Sequence, residues 1–117
     1  MTGETGKTLT LDVEELPGAV VVHAHGAAVM GQADKLLSVL EGLTDRHTPI
    51  IVLDLADLDF VSSAGLSAII MGHVKSRHHQ GQLRLASPSP HVREVLELTR
   101  LTKLFDIYPS VQEATAS

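Results

Sequence analysis

The segment Ile50-Ile51-Val52-Leu53-Asp54-Leu55 places the strongest constraint on how this chain can fold. Its apolar run is interrupted only by Asp54, and it is far too short to cross a membrane. A near-continuous apolar strand is typical of a parallel sheet that is covered on both faces by helices. The segment therefore predicts a central β-strand inside an α/β fold.

Elements of two periodicities alternate on either side of this strand. The predicted strands are Thr8–Val13, Ala19–His25, Ile50–Leu55, Leu83–Ala86 and Leu104–Ile107, with a turn at Leu16-Pro17-Gly18 and a loop bracketed by Gly26 and Gly31. The predicted helices run from about Gln32 to Thr44, from Ser63 to Gln80 with Gly81 ending it, from Pro90 to about Thr99, and from Pro109 onward. This order predicts a mixed four- to five-stranded sheet with three to four helices packed on it.

Length and composition exclude several function classes. The 117 residues predict one domain, over residues 8–114, with frayed ends at residues 1–7 and 115–117. The absence of cysteine excludes a disulfide framework and thiolate chemistry. A net charge of −5 and only 3% aromatic residues argue against nucleic-acid and anionic-membrane binding. With no signal peptide in the printed sequence, the expected location is cytoplasmic.

The most unusual local feature is the junction where the central strand gives way to the second long helix. The segment Leu55–Leu66 reads L-A-D-L-D-F-V-S-S-A-G-L, so the helix begins at paired serines. Binding sites in α/β sheets favour the carboxyl ends of strands, and a helix N-terminus tolerates a phosphate. Either Ser62 or Ser63 can instead serve simply as the helix N-cap.

From Ile50 to about Ile107 the chain resembles the STAS domain family, specifically the bacterial anti-sigma factor antagonists. The family pattern of an apolar strand, L-x-x-[LV]-x-[FY]-[ML], and then D-S-[ST]-G-L corresponds to Leu55–Val61 followed by Ser62–Leu66. Downstream, Gly81–Leu85 matches its G-x-x-[LV]-x-[LV] strand, and Ser89–Phe105 resembles its next helix and exit. The resemblance implies a STAS fold.

The same resemblance implies a transcription regulator that acts by partner switching and is not an enzyme. Such a protein binds an anti-sigma factor that is a Ser/Thr kinase, is phosphorylated by it, and is restored by a PP2C-type phosphatase. The phosphoacceptor position maps onto Ser63, with Ser62 as its possible substitute. The implied partner-binding surface comprises Asp57, Asp59, Phe60, Val61, Ser62, Ser63, Ala64, Gly65 and Leu66.

Three departures from the family pattern favour an alternative function. Ser62 stands where the family has Asp, Ala64 replaces the second Ser/Thr, and Gly26–Val29 replaces G-E-[IL]-D without its two acids. The alternative is a constitutive, non-phosphorylated STAS interaction or scaffold module of the stressosome type. An aspartate at position 63 would separate the two, because a phosphomimetic abolishes kinase binding only in a switch protein.

Other chemistry finds little support in the residue pattern. His23 and His25 share a strand face and His78-His79 lies near a helix end, but no metal-ligand spacing accompanies them, so no metal site is predicted. The chain has no G-x-S-x-G elbow for a hydrolase and no glycine-rich nucleotide loop, so no cofactor is predicted. Asp57 and Asp59 fit either a solvated loop or an acidic rim for a basic partner.

Overall fold

The computed structural model describes residues 8–29 and 31–116. Its strands are β1 (Leu9–Leu16), β2 (Ala19–Ala28), β3 (Ile50–Val61), β4 (Gln82–Ala86) and β5 (Ile107–Tyr108). Its helices are α1 (Ala33–Asp45), α2 (Ser63–His78), α3 (Pro90–Leu98) and α4 (Val111–Thr115), with a 3-10 turn at Leu101–Lys103. The sheet order is β1-β2-β3-β4-β5; β1 and β2 are antiparallel, and the remaining neighbours are parallel. The predicted mixed α/β sheet is confirmed.

The two faces of the sheet are covered very differently. On one face, α1, α2 and α3 close over an aliphatic core that includes Leu36, Leu53, Ile69 and Leu96, all fully buried. On the other face, a smaller cluster of Val21, Val52 and Ala86 is covered by α4 through Ala114. We call the face beneath α1, α2 and α3 the covered face, and the face that α4 covers in part the open face. The central strand is thus buried on both sides, as its apolar run predicts.

Three strands extend beyond their predicted ends. The turn Pro17-Gly18, in which Gly18 takes a φ of +82°, joins β1 and β2 so closely that β1 lengthens to Leu16. Gly26, predicted at the edge of a loop, lies inside β2 with a φ of +98°. The predicted loop after Leu55 is also wrong, because the distal half of β3 continues to pair with β2 as far as Val61.

Two further boundaries differ from the predictions. Helix α2 ends at His78, and Gln80 rather than Gly81 takes the left-handed conformation, with a φ of +64°. Gly81 instead lies tightly against the backbone of Thr48 and Pro49, where a Cβ would clash. The predicted last strand Leu104–Ile107 begins only at Ile107, because the preceding chain turns so that Phe105 is buried in the core.

The sequence predicts frayed ends at residues 1–7 and 115–117. Residues 1–7 and Ser117 lie outside the described residues. The terminal helix predicted from Pro109 onward begins at Val111 as α4 and extends to Thr115, and Ser110 caps it by accepting a hydrogen bond from the Glu113 N–H at 3.1 Å.

Candidate functional site

The ends of β2 and β3 and the start of α2 meet at one point, and Ser62 connects them. Its backbone N–H donates to the carbonyl of Ala28 at 2.9 Å, and its hydroxyl donates to the same carbonyl at 3.0 Å. The hydroxyl also accepts a hydrogen bond from the N–H of Gly65 at 3.3 Å, which makes Ser62 the N-cap of α2. The Ser62 hydroxyl is therefore fully used in holding the junction together.

Ser63 has a different environment, although it is the next residue. It occupies the first position of α2 and is exposed to solvent, and its hydroxyl has no hydrogen-bond partner among residues 8–29 and 31–116. Its position at a helix N-terminus places it where the helix dipole favours negative charge. The two serines thus divide into a structural cap and an accessible hydroxyl.

Gly65 is what allows α2 to start so close to β2. A Cβ at this position would lie 2.6 Å from the carbonyl oxygen of Ala28 and 2.7 Å from Cγ2 of Val61. Val61 is itself only 4% exposed and belongs to the core. Neither Val61 nor Gly65 presents a side chain to solvent, so within the predicted partner surface these two residues set its shape.

The distal half of β3 presents the exposed part of that surface. Asp57, Asp59 and Phe60 are exposed, whereas Leu58 is fully buried. Leu58 packs in the core, whereas Phe60, 40% exposed, lies on the surface. Asp57 is not simply a solvated loop residue, because its carboxylate lies 3.3 Å from Nδ1 of His25.

Two residues of the α3 region that the sequence did not single out support this part of β3. The hydroxyl of Ser89 donates to the backbone carbonyl of Leu58 at 2.6 Å. The ring of His91 stacks on Phe60, with the centroids 5.0 Å apart and the planes 16° from parallel. No motif spacing links these positions, since only the folded sheet brings α3 beside the end of β3.

A shallow groove between α1 and α2 begins beside the accessible serine. It has a volume of about 330 Å³ and is lined by Ala33, Asp34, Leu37, Ala64, Ser67, Ala68 and Met71. Ala64 and Leu66 are half-buried, and Met71 is 45% exposed. The groove that follows Ser63 along α2 is thus lined mainly by small and apolar side chains.

The described residues offer no group of three or more His, Asp or Glu side chains arranged to hold a metal ion. No described helix is long and apolar enough to cross a membrane.

Comparison with known proteins decides the family. The STAS domain family matches residues 10–114. The chain belongs to the STAS domain family. It is 31% identical over 109 residues to BtrV of Bordetella bronchiseptica, named as a candidate anti-sigma factor antagonist, covering 93% of this chain and 94% of that one.

Solved structures of other proteins have the same fold as this chain. An anti-sigma factor antagonist from Mycobacterium paratuberculosis superposes with a TM-score of 0.85 at 28% identity, covering 93% of this chain and 92% of that chain. SpoIIAA in its unphosphorylated form gives a TM-score of 0.79 at 19% identity, covering 90% and 92%. The phosphorylated form of SpoIIAA from Bacillus gives 0.73 at 17% identity, covering 92% and 97%. The SpoIIAA likeness supports the STAS fold alone.

Proposed function

We propose that this chain is an anti-sigma factor antagonist that binds an anti-sigma factor with Ser/Thr kinase activity and is released when Ser63 is phosphorylated. The observation that carries the proposal is the division between the two serines: Ser62 caps α2 and Ser63 is accessible. The names of the BtrV and Mycobacterium relatives support the antagonist assignment.

A phosphate on Ser63 would act on both the chain and its partner. The N-terminus of α2 accommodates the added negative charge, so the fold tolerates modification. The neighbouring surface, formed by Asp57, Asp59 and Phe60 and continuing along α2 past Met71, would become more acidic at its centre. A partner surface that is apolar or acidic opposite Ser63 would then be repelled, whereas the unmodified hydroxyl leaves the contact free.

The roles in this cycle follow from what the chain holds and lacks. The proposal gives it no catalytic residue and no cofactor of its own, so the kinase supplies ATP and magnesium and a PP2C-type phosphatase removes the phosphate. The chain contributes an accessible hydroxyl and a shaped surface. This reaction class transfers the γ-phosphoryl group of ATP to the serine oxygen, releasing ADP and the hydroxyl proton.

A second candidate is supported by the region around Ala27 and Ala28. Ala27 and Val29 stand where the family's G-E-[IL]-D has its two acids, and Ala27 is fully buried at the end of β2. The acidic groups expected beside the junction are therefore absent from this chain. If those acids are needed to engage the kinase, the chain is instead a constitutive STAS interaction module that is never phosphorylated.

The test uses the native host's lysate and the full chain. Partners are captured on the immobilised chain, Mg-ATP is added, and phosphate is located by peptide mass mapping in the wild type, Ser62→Ala, Ser63→Ala and Ser67→Ala. Ser67 is the matched control, because it is an exposed serine one turn further along α2. The switch predicts phosphate in the wild type and in Ser67→Ala, and none in Ser63→Ala.

Binding to the captured kinase separates the remaining outcomes. Ser63→Asp should weaken binding at least tenfold if the switch operates, and the fold should be intact by circular dichroism. Phosphate that persists in Ser63→Ala and disappears in Ser62→Ala would reassign the acceptor. A stable partner that is an active kinase yet leaves the chain unmodified, with binding unaffected by Ser63→Asp, would favour the constitutive module.

A further inference from the structure

The open face carries a row of alternating imidazoles and carboxylates across three strands. We call this row the imidazole ladder; its members are Asp12 and Glu14 on β1, His23 and His25 on β2, and Asp54 and Asp57 on β3. Each histidine lies between one carboxylate from β1 and one carboxylate from β3. The ladder therefore links the edge strand of the sheet to its central strand through side chains.

His23 shows the geometry most clearly. Its Nδ1 lies 2.7 Å from Oδ2 of Asp54, and its Nε2 lies 2.9 Å from Oε1 of Glu14. A neutral imidazole has one N–H donor and one bare nitrogen, whereas both nitrogens of the cation donate. Two carboxylates at hydrogen-bond distance on opposite nitrogens can both be satisfied only by the protonated ring. The arrangement is thus built for imidazolium.

The titration behaviour of His23 agrees with this geometry. Its pKa is raised above the ordinary value of 6.5, first by the hydrogen bond with Glu14 and then by the hydrogen bond and charge of Asp54, which together outweigh the lowering effect of burial. His25 repeats the arrangement with longer contacts. Its Nε2 lies 3.2 Å from Oδ2 of Asp12, and its Nδ1 lies 3.3 Å from Oδ2 of Asp57.

The ladder spans the place where the backbone pairing is least regular. The register between β2 and β3 shifts between His23 and His25 and again between Gly26 and Ala27. The contact between His25 and Asp57 lies between these two shifts, immediately before the stretch of β3 that carries Asp59 and Phe60. Side-chain ion pairs therefore reinforce the sheet at the point where the backbone ladder is interrupted.

The charged groups of the neighbouring elements lie outside the ladder. Arg84 of β4 donates to the carbonyl of Ala114 and lies over the ring of Tyr108, on the part of the face that α4 covers. Glu113 is the titratable residue of α4. Arg46 pairs with Glu15 at 3.1 Å, outside the ladder. Among the described residues, the basic side chains that contact the four ladder carboxylates are those of His23 and His25.

We propose that the imidazole ladder is a proton-operated clasp that fixes β1 and the distal half of β3 to β2. With both rings protonated, the clasp is closed by four ion pairs. When the rings lose their protons, Asp12, Glu14, Asp54 and Asp57 are left as four like charges along one face, and the segment from Asp57 to Val61 loosens. The inference rests on the ladder alone and stands whether or not Ser63 is phosphorylated.

The direction of the pH effect follows from the raised folded-state pKa of His23. The contacts of His23 with Glu14 and Asp54 are fully charged below 6.5, the value of an unperturbed histidine, and lose the ring's charge as the pH rises through the higher folded-state pKa of His23. This is the range in which histidine alone among unperturbed side chains changes charge.

A nuclear magnetic resonance titration of the isolated chain from about pH 5 to about pH 9 tests the clasp. The ring resonances of His23 and the backbone amides of residues 57–61 are followed in the wild type, His23→Gln, Asp54→Asn and His78→Gln. His78 is the matched control, because it is an exposed histidine near the end of α2. Asp54→Asn removes one carboxylate partner of His23 and provides a second variant for the test should His23→Gln fail to fold.

The clasp predicts a midpoint above 6.5 for the His23 ring, with the amides of residues 57–61 moving over the same pH range, in the wild type and in His78→Gln. Asp54→Asn should lower the His23 midpoint, and His23→Gln should reduce the amide shifts without abolishing them, because His25 still contacts Asp57. A His23 midpoint at or below 6.5 would overturn the proposal. So would amides that do not move with the ring, or amide shifts that are unchanged in His23→Gln.

Discussion

The covered and open faces of the same five strands are stabilised by different interactions. On the covered face, alternate residues of every strand add to one aliphatic core beneath α1, α2 and α3. On the open face, apolar contacts are confined to the part beneath α4, and β1, β2 and the middle of β3 are joined by ion pairs. Burial of apolar area is insensitive to pH and is not screened by salt, whereas partly exposed ion pairs are sensitive to both.

The interactions of this fold that are sensitive to pH and salt are therefore concentrated on the open face. The covered face fixes the junction at Ser62, because Val61 and Gly65 are part of its packing. The open face governs how firmly the distal half of β3 is held. Variants on the two faces should therefore differ both in the size of their effect on stability and in its dependence on pH and salt.

The largest effect is expected for Leu53→Ala on the covered face. Leu53 is fully buried at the centre of β3, so truncation removes apolar contact and leaves a cavity. We expect the free energy of unfolding to fall by about 2–5 kcal/mol, measured by urea denaturation, with the same loss at about pH 6 and about pH 8. Val13→Ala is the control on the edge strand β1, since Val13 is 46% exposed, and should change stability by about 0.5 kcal/mol or less.

A smaller loss is expected for Gly65→Ala. The added methyl would meet the carbonyl of Ala28 and the side chain of Val61, so α2 must shift away from β2. Overpacking of this kind costs roughly 1–3 kcal/mol. Gly42→Ala is the matched control, because Gly42 lies within α1 with open space around its Cα and should gain up to about 1 kcal/mol in helix propensity. Equal effects at the two glycines would contradict the close approach at the junction.

The neighbouring serines should differ next. Ser62→Ala removes a helix cap and the hydroxyl bond to Ala28, so the free energy of unfolding should fall by about 0.5–2 kcal/mol. Ser63→Ala removes an exposed hydroxyl and should stay within about 0.5 kcal/mol of the wild type. Thermal and urea unfolding of both variants tests the assignment. A larger loss at Ser63 than at Ser62 would reverse the roles given to the two residues.

These variants concern features that the sequence predicts to different degrees. The central strand, the order of elements and the helix start at the paired serines all follow from local patterns: an apolar run, alternation and capping chemistry. The end of β3 could not be predicted in this way, because its exposed residues Asp57, Asp59 and Phe60 do not follow the strict alternation of a regular strand and its pairing with β2 is irregular. That register depends on the folded sheet.

One half of the imidazole ladder, the pairing between the acids of β1 and the histidines of β2, could be predicted from the sequence. The two-residue turn at Pro17-Gly18 pairs Leu16 with Ala19, and counting back from it places Asp12 directly opposite His23. The hairpin alone therefore brings acids of β1 beside the histidines of β2. Asp54 and Asp57 could not be added, since a parallel neighbour joined through α1 has no register that a turn would fix.

The smallest effect is expected for Glu14→Gln, and it distinguishes the open face most sharply. The hydrogen bond with Glu14 is the leading cause of the raised pKa of His23, so its loss should bring that pKa back toward 6.5. Because a raised folded-state pKa stabilises the fold below the unfolded value and loses that contribution as pH rises, the variant should be less stable than the wild type at about pH 6 and nearly equal at about pH 8. Glu14 is 54% exposed, so the difference at low pH should be only about 0.2–1 kcal/mol, and it should shrink in about 1 M salt.

Glu15→Gln is the control from the same strand. It removes a carboxylate paired with Arg46, whose charge is constant over this range, so any loss of stability should be equal at both pH values. If Glu14→Gln behaves like Glu15→Gln, the open face is held by ordinary surface ion pairs and the contrast between the two faces does not extend to pH.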